Sequence, residues 1–512
     1  MTIILRVLLL LVLFTLGSLN SPVYGQDLDS LDIFDDSEGM ISDIVDGDVE
    51  FLSLEEAIEL ARENSPQART AEYSLIASQH RYQSYRADLL PGLSISGDSP
   101  NYRRSFRESF NPDGSTDLVY SQQSNANMDL SIQQPIMFTG GNVSISSGIT
   151  RLGIFSDENT YLWSATPLVI GLNQPLFQFN NLKWRSRIEP LEMEISRKEY
   201  VESVENLSMN VTQRYFDVLL AMINLDIAET NVAVNDSIYN ISQGRYNVGS
   251  IAENDVLQAE LALRNAESSL TQSRLSYDQL LKEFRLLLGL QSDAPVGVEV
   301  PDEVPIFEVD REIALEMAQT NNSTALNFQL SETEARRNLD QAEKSASFSA
   351  SIQANFGLNQ TSSDFMNVYN QPLSQQFVTL NFQVPIFNWG KQQAEIQSAR
   401  NTQRQVADQI AYQQAQFVLQ VESTVAEFQQ LRDQVMLAEL SADIAERRYD
   451  VARGRYLIGR IDITNLLIAQ NERDSARRSY IQSLRNYWSG VYDLRRLTLF
   501  DFEQGTQINH TL

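Results

Sequence analysis

Few residues of this chain are suited to chemistry. It has no cysteine and only two histidines, His80 and His510. Without thiols there are no disulfides, no thiolate metal sites and no lipid-modified cysteine. Two isolated histidines form neither an HExxH pair nor a His-rich metal cluster, and no Walker A or GxGxxG pattern stands out. Carboxylates are plentiful, 67 against 39 Lys and Arg. Scattered along helical stretches, they read as solvated faces rather than acid–base pairs. No catalytic, cofactor-binding or metal site is assigned. The formal net charge of −28 argues against nucleic acid, whose phosphates demand Lys and Arg. Ten of the acidic residues, with no basic ones, lie in Asp27–Glu50, the composition of a solvated tether.

The spacing that carries most information belongs to turns. Gly244-Arg245-Tyr246-Asn247-Val248-Gly249-Ser250-Ile251 returns 210 residues later as Gly454-Arg455-Tyr456-Leu457-Ile458-Gly459-Arg460-Ile461. Val256-Leu257-Gln258-Ala259 and Leu466-Leu467-Ile468-Ala469 extend the match, and Gln174-Pro175-Leu176-Phe177 has the same offset to Val384-Pro385-Ile386-Phe387. Self-similarity over about half a chain marks a duplicated structural unit. Such duplication suits a wall or tube better than an asymmetric active site.

The elements that position these turns follow from the pattern. Arg6, an apolar run Val7–Leu16 and the small-residue end Val23-Tyr24-Gly25 have the layout of a secretory signal, with cleavage expected after Gly25. Ser53 with Glu56 forms a capping-box pattern that opens a helix to about Leu90, ended by Pro91-Gly92. A longer helix runs from after Trp184 to about Ser242, with Val204, Val211, Val218, Leu225, Val232, Tyr239 and Tyr246 at heptad spacing. Another runs from about Asn254 to Leu288. Sustained heptads imply coiled-coil packing. The small-residue series Ala259, Ala266, Ser273 and its counterpart Ala469, Ala476, Ser483, Gly490 reads as core. By length, one long helix can lie beside two shorter ones stacked end to end, giving a cylinder of helices.

Between the helices lie alternating segments, including Met128–Gln133, Val378–Val384, Leu93–Gly97, Asn142–Thr150, Pro167–Asn173 and Phe348–Gly357. Tyr161, Trp163, Phe177, Trp184, Phe387 and Trp389 cluster at their ends. One apolar face, one polar face and aromatic rims suit a transmembrane barrel. The opening helix aligns with the second half at an offset of 257, against 210 after the strands, so the first strand region carries 47 additional residues. They read as an extra hairpin, favouring six strands per protomer. The organisation is a signal peptide (1–25), an acidic tether (26–50), a first repeat (51–300), a second repeat (301–500) and a C-terminal tail (501–512).

Leu52-Ser53-Leu54-Glu55-Glu56-Ala57, Asp88-Leu89-Leu90-Pro91, Gln174-Pro175-Leu176-Phe177 and the two Arg-Tyr-x-x-Gly turns, in this order, resemble the outer-membrane efflux protein family, the TolC-type channel-tunnels. The resemblance covers about Phe51–Phe500. It implies an α+β membrane protein: a homotrimeric outer-membrane β-barrel, embedded in outer-membrane lipid and continuous with a long periplasmic α-helical coiled-coil barrel, built from two tandem repeats. The family default is four strands per protomer and twelve per barrel; the extra hairpin gives eighteen. The resemblance also implies a passive duct of a tripartite efflux or type I secretion system. Its partners are a periplasmic adaptor and an inner-membrane transporter, and its cargo is drug, metal or protein. A periplasmic adaptor or envelope scaffold without a pore would explain the heptads but not the aromatic-flanked alternating segments. An outer-membrane enzyme would not explain the paired long helices.

By the same resemblance, the adaptor docks at the tips, Gly244–Asn254 and Gly454–Thr464, through Tyr246, Val248, Gly249, Ser250, Ile251, Tyr456, Ile458, Gly459 and Ile461. The family's closed gate is held by an aspartate bonded to a tyrosine and an arginine. Asp255 and Tyr456 match the first two. Ile461 holds the arginine position with Arg460 beside it, and the family's paired aspartates fall on Asn465 and Ile468. A Tyr456–Asp255 hydrogen bond is the expected lock.

Overall fold

The computed structural model describes residues 50–110, 112–155, 158–301, 305 and 307–510. The expected signal peptide and the acidic tether up to residue 49 lie outside them. Strand β1 (Glu50–Leu52) leads into helix α1 (Leu54–Asn64). Ser53 Oγ accepts from Glu56 N at 3.3 Å, while the Glu56 carboxylate accepts from Ser53 N at 2.8 Å, so the capping box forms. Where sequence suggests one helix to Leu90, two form. Pro66 has no N–H to continue α1 and instead opens α2 (Pro66–Asp88), with Ser65 as its cap.

Four long strands follow: β2 (Gly92–Phe110), β3 (Thr116–Ile136), β4 (Gly141–Phe155) and β5 (Thr160–Leu176). Helix α3 (Asn181–Asn247) and α4 (Glu253–Leu287) make the first helical hairpin, and β6 (Val296–Val298) pairs in parallel with β1. The order then recurs with α5 (Arg311–Asn321), α6 (Ser323–Ala346), β7 (Ser349–Ser362), β8 (Leu373–Gln383), α7 (Lys391–Leu457) and α8 (Ile463–Thr498). The short strands β9 (Phe500–Asp501) and β10 (Thr506–Gln507) end the chain.

Helices α3 and α7 have 67 residues each, about 100 Å at ~1.5 Å per residue. Along α3 lie first α2 and then α4; along α7 lie first α6 and then α8. Four helices therefore stand abreast at each level, in the order α2–α3–α6–α7 near the strands and α4–α3–α8–α7 at the far end. The heptad series of α3 is buried at Val204, Val211 and Val218 but emerges by Tyr246. Towards the tip the buried seam passes instead to Ala221, Ala228, Asn235 and Ser242, also seven apart.

The main core sits midway, where β1, β6, α1 and α5 wrap the helices. Tyr215, Phe216, Phe284, Phe428 and Tyr487 fill it. Tyr215 donates to the carbonyls of Leu52 (3.0 Å) and Glu299 (2.7 Å), tying β1 and the end of β6 to α3. Beside this core, the fully buried Glu205 accepts from Arg62 (3.0 Å), Arg495 (3.0 Å) and His510 (2.8 Å). Burial would raise Glu205, but the His510 hydrogen bond and the Arg495 and Arg62 charges outweigh it and hold the carboxyl below its ordinary value. The C-terminal segment is thereby fastened to α3.

All six long strands form one antiparallel sheet, ordered β2–β3–β4–β5–β7–β8. The segments Asn142–Thr150 and Pro167–Asn173 are paired within it, giving the six strands in one chain that the extra 47 residues suggested. Paired residues share a face. Leu93, Ile132, Ile145, Ile170 and Phe356 align across five strands on one face; Gln133, Ser144, Gly171 and Asn355 align in the next row on the other. The apolar face is largely uncovered, with Leu93, Ile170 and Phe356 exposed. Aromatics mark both ends. Arg151 lies over Tyr161 (4.5 Å) and Trp163 (5.6 Å), and Trp163 meets Phe365 at 5.0 Å. At the helical end Phe177 meets Phe348 (5.9 Å) and Phe387 meets Trp389 (4.7 Å). No described helix is long and apolar enough to cross a membrane.

Candidate functional site at the helix tips

Both helical hairpins reverse through the same turn. Gly249 has φ +74° and Gly459 φ +73°, left-handed values that favour glycine. Gly249 N donates to Tyr246 O (2.8 Å) and Ser250 N to Arg245 O (2.8 Å). Gly459 N and Arg460 N repeat this with Tyr456 O and Arg455 O, both at 2.9 Å. These paired bonds are the Schellman ending, which satisfies the last carbonyls of α3 and α7. The following helices start differently. Asp255 accepts from Ala252 N at 3.4 Å at the start of α4, whereas Asp462 caps α8 by accepting from Asn465 N at 2.9 Å.

Tyr456 joins the two hairpins. Its ring is 4 % exposed and packs with Ile238, Ala259, Tyr449, Ile463 and Leu466. Its hydroxyl lies 3.0 Å from Ser242 Oγ on α3. The Arg245 guanidinium sits 5.2 Å over the ring and donates to the carbonyls of Tyr456 and Leu457, each at 3.2 Å. A cation at the C-terminus of α7 meets both the free carbonyls and the negative end of the helix dipole. Higher up, Asn231 on α3 donates to Asp474 (2.7 Å) and accepts from Gln470 (2.6 Å). Arg473 pairs with Asp474 (2.6 Å) and stacks on Tyr449 (4.1 Å). This belt ties α3, α7 and α8 together.

The sequence expectation of a Tyr456–Asp255 hydrogen bond is not met within the protomer: Tyr456 turns to Ser242, and Asp255 binds its own helix start. Arg460 is exposed beyond Gly459 and makes no side-chain hydrogen bond or ion pair among the described residues. Tyr246, Val248, Ser250, Ile458, Gly249 and Gly459 are exposed at the tips, Val248 by 77 % and Ile458 by 65 %. Ile251 and Ile461 are half-buried. Asn465 and Ile468 are exposed on α8. Sequence reasoning missed Ser242 and Arg245. Their signal was a polar residue on the buried seam, Ser242 seven after Asn235, and a cation in the last turn of a helix.

The strands and tips lie at opposite ends of a helical body about 100 Å long. Residues 142–290 and 314–498, more than half of the chain, match the family model described as outer membrane efflux protein. The chain belongs to the outer membrane efflux protein family. It is 23% identical over 389 residues to Outer membrane protein TolC of Escherichia coli K12, across 71% of this chain and 76% of that relative. Among solved structures, a membrane protein from Pseudomonas aeruginosa superposes with a TM-score of 0.63 at 15% identity, covering 89% of this chain and 92% of that one. The Campylobacter jejuni CmeC outer membrane channel gives 0.62 at 16% identity, covering 90% and 87%. The fold is thus that of the TolC-like channel-tunnels. As an outer membrane efflux protein, the chain resides in the outer membrane and extends into the periplasm. Its family is one of channels, not of enzymes.

Proposed function

We propose that three copies of this chain assemble into a passive duct, a transmembrane barrel continuing into a periplasmic helical tunnel, that serves a tripartite efflux or type I secretion system. The observation that carries this reading is the six-stranded sheet. It presents an uncovered apolar face between two aromatic rims and has two open edges. Unpaired backbone groups cannot remain in hydrocarbon, so the sheet must close with further copies. Its rims are spaced for a bilayer. From Trp163 to Phe177 along β5, a strand tilted about 40° rises roughly 35 Å, close to the ~30 Å hydrocarbon core.

The equal long helices and the two matching tip turns support a duplicated unit, residues 51–300 and 301–500, with residues 501–510 as a strap. The tips are the entrance. Exposed Val248 and Ile458 offer apolar contact to a periplasmic adaptor, which would couple the duct to an inner-membrane transporter and its energy source. Tyr456, with Ser242 and Arg245, holds the hairpins in register there. Cargo is a drug, a metal or a protein. Fractionation with gel mobility tests the assembly: an outer-membrane oligomer that dissociates only on heating supports it, and release with the soluble periplasm overturns it.

A further inference from the structure

We propose that the trimer closes as an eighteen-stranded barrel whose perimeter matches that of the helical tube beneath it, so that the duct does not narrow at the membrane. This rests on the trimeric reading above and adds the pore's width and the surfaces that close it.

The hairpins β2–β3 and β4–β5 are built alike. Gln134 Nε2 donates to Pro135 O (2.8 Å) and to Leu89 O (2.9 Å), just before β2. Gln174 Nε2 donates to Pro175 O (2.8 Å) and to Thr139 O (3.1 Å), just before β4. Each glutamine therefore fastens the foot of its own hairpin. The turn between them is anchored too. Asn180 donates to Met137 O at 2.9 Å while its Oδ1 caps α3 by accepting from Lys183 N at 3.1 Å. β3 and β4 pair without interruption from Gln122–Phe155 to Ile136–Gly141. The additional hairpin is part of the sheet, not an appendage beside it.

Widths decide what this does. Six strands spaced ~4.8 Å apart and tilted about 40° cover roughly 38 Å of perimeter. Four helices abreast at ~8–10 Å cover roughly 32–40 Å. Four strands at the same tilt would cover only about 25 Å. With six, tube and barrel match.

The occupant of each open edge is a second copy. A six-stranded sheet is smaller than the ~8-stranded minimum of membrane barrels, so it cannot close on itself. The outer strands are staggered as a tilted barrel requires: the row from Gly92 at the foot of β2 runs through Gln133, Ser144, Gly171 and Asn355 to Phe377, well above the foot of β8 at Gln383. β8 of one protomer thus meets β2 of the next foot to foot, with Asn381 and Gln383 beside the start of β2.

Cryo-electron microscopy of the purified full-length protein reads the answer directly. Three copies with eighteen strands and a backbone diameter of about 36 Å are expected. A trimer with twelve strands overturns this inference alone, whereas absence of a trimer overturns it together with the reading it rests on. Disulfide trapping gives an independent test in a chain with no native cysteine. Ser94→Cys on β2, combined in turn with Thr379→Cys, Asn381→Cys or Gln383→Cys on β8, should yield covalent trimers. Trapping β8 to Ser144→Cys on β4 of a neighbour would instead place β2 and β3 outside the barrel. Excising Met137–Leu176 joins Ile136 to Phe177 and leaves a Gln-Pro-Ile-Phe foot. That variant should form a trimer about one-third narrower across the barrel; an unchanged diameter contradicts the proposal.

Discussion

The hydroxyl of Tyr456 lies 3.0 Å from that of Ser242, joining the second helical hairpin to the first where both approach their tips. Arg245 covers the same ring and reaches the last carbonyls of α7. In this conformation the two hairpins are fastened near their tips by a tyrosine, a serine and an arginine, while Asp255 binds its own helix start.

Tyr456→Phe removes a buried hydrogen bond at a cost of about 1 kcal/mol. Arg245→Ala removes both the ring contact and the bonds to the helix end, together about 1–2 kcal/mol. Both variants should assemble normally and show larger or more frequent openings in planar bilayers. Asp255→Ala should destabilise the start of α4 without raising conductance. A marked rise with Asp255→Ala and none with Arg245→Ala would return the lock to Asp255.

The exposed tips predict a separation of assembly from export. Val248→Asp and Ile458→Asp put a charge where apolar contact with the adaptor is proposed, far from the sheet and the main core. Trimers should form at wild-type levels while export in cells carrying the cognate pump falls at least tenfold. Export at the wild-type level would remove these residues from the docking surface.

The two faces of the sheet predict opposite tolerance at adjacent positions. Phe356 lies on the apolar face and Asn355 on the polar one. Phe356→Arg should cost about 2–4 kcal/mol in the bilayer and lower the temperature at which the oligomer dissociates on gels. Asn355→Arg should be nearly neutral for assembly. Equal effects from both would contradict a lipid-facing assignment.

Glu205 predicts an acid limb to stability. Its folded pKa lies below the ordinary 4.5, so its contribution is complete above that value and is lost as pH falls through the folded value. Glu205→Gln leaves Arg62 and Arg495 facing a neutral group and should cost about 3–5 kcal/mol near neutrality. The variant should also lose the dependence on pH in the window below 4.5. Thermal unfolding followed by circular dichroism across that range checks both effects.

Much of this architecture was legible because the sequence pattern recurs along the chain. Heptads gave the long helices, the Arg-Tyr-x-x-Gly turns gave both tips, and the 47-residue surplus gave the third hairpin. Local competition hid the rest. At Ser65-Pro66 a missing N–H and a serine cap outweigh continuous helix propensity, dividing α1 from α2. In α3 the valine series predicts the wrong seam near the tip, where Ser242 is buried with the Tyr456 hydroxyl of the second hairpin as its polar partner. The partnership of Tyr456 with Ser242 was hidden for the same reason. Spacing places a tyrosine on a turn but does not say which neighbouring helix its hydroxyl will meet.

Single-channel recording of the purified protein in a planar bilayer tests the central claim most directly. A passive duct predicts discrete, long-lived conductance steps without nucleotide or any second protein, larger in Arg245→Ala than in the native chain. A protein that remains trimeric and membrane-inserted yet gives no discrete steps, in the native chain and in Arg245→Ala alike, would contradict it.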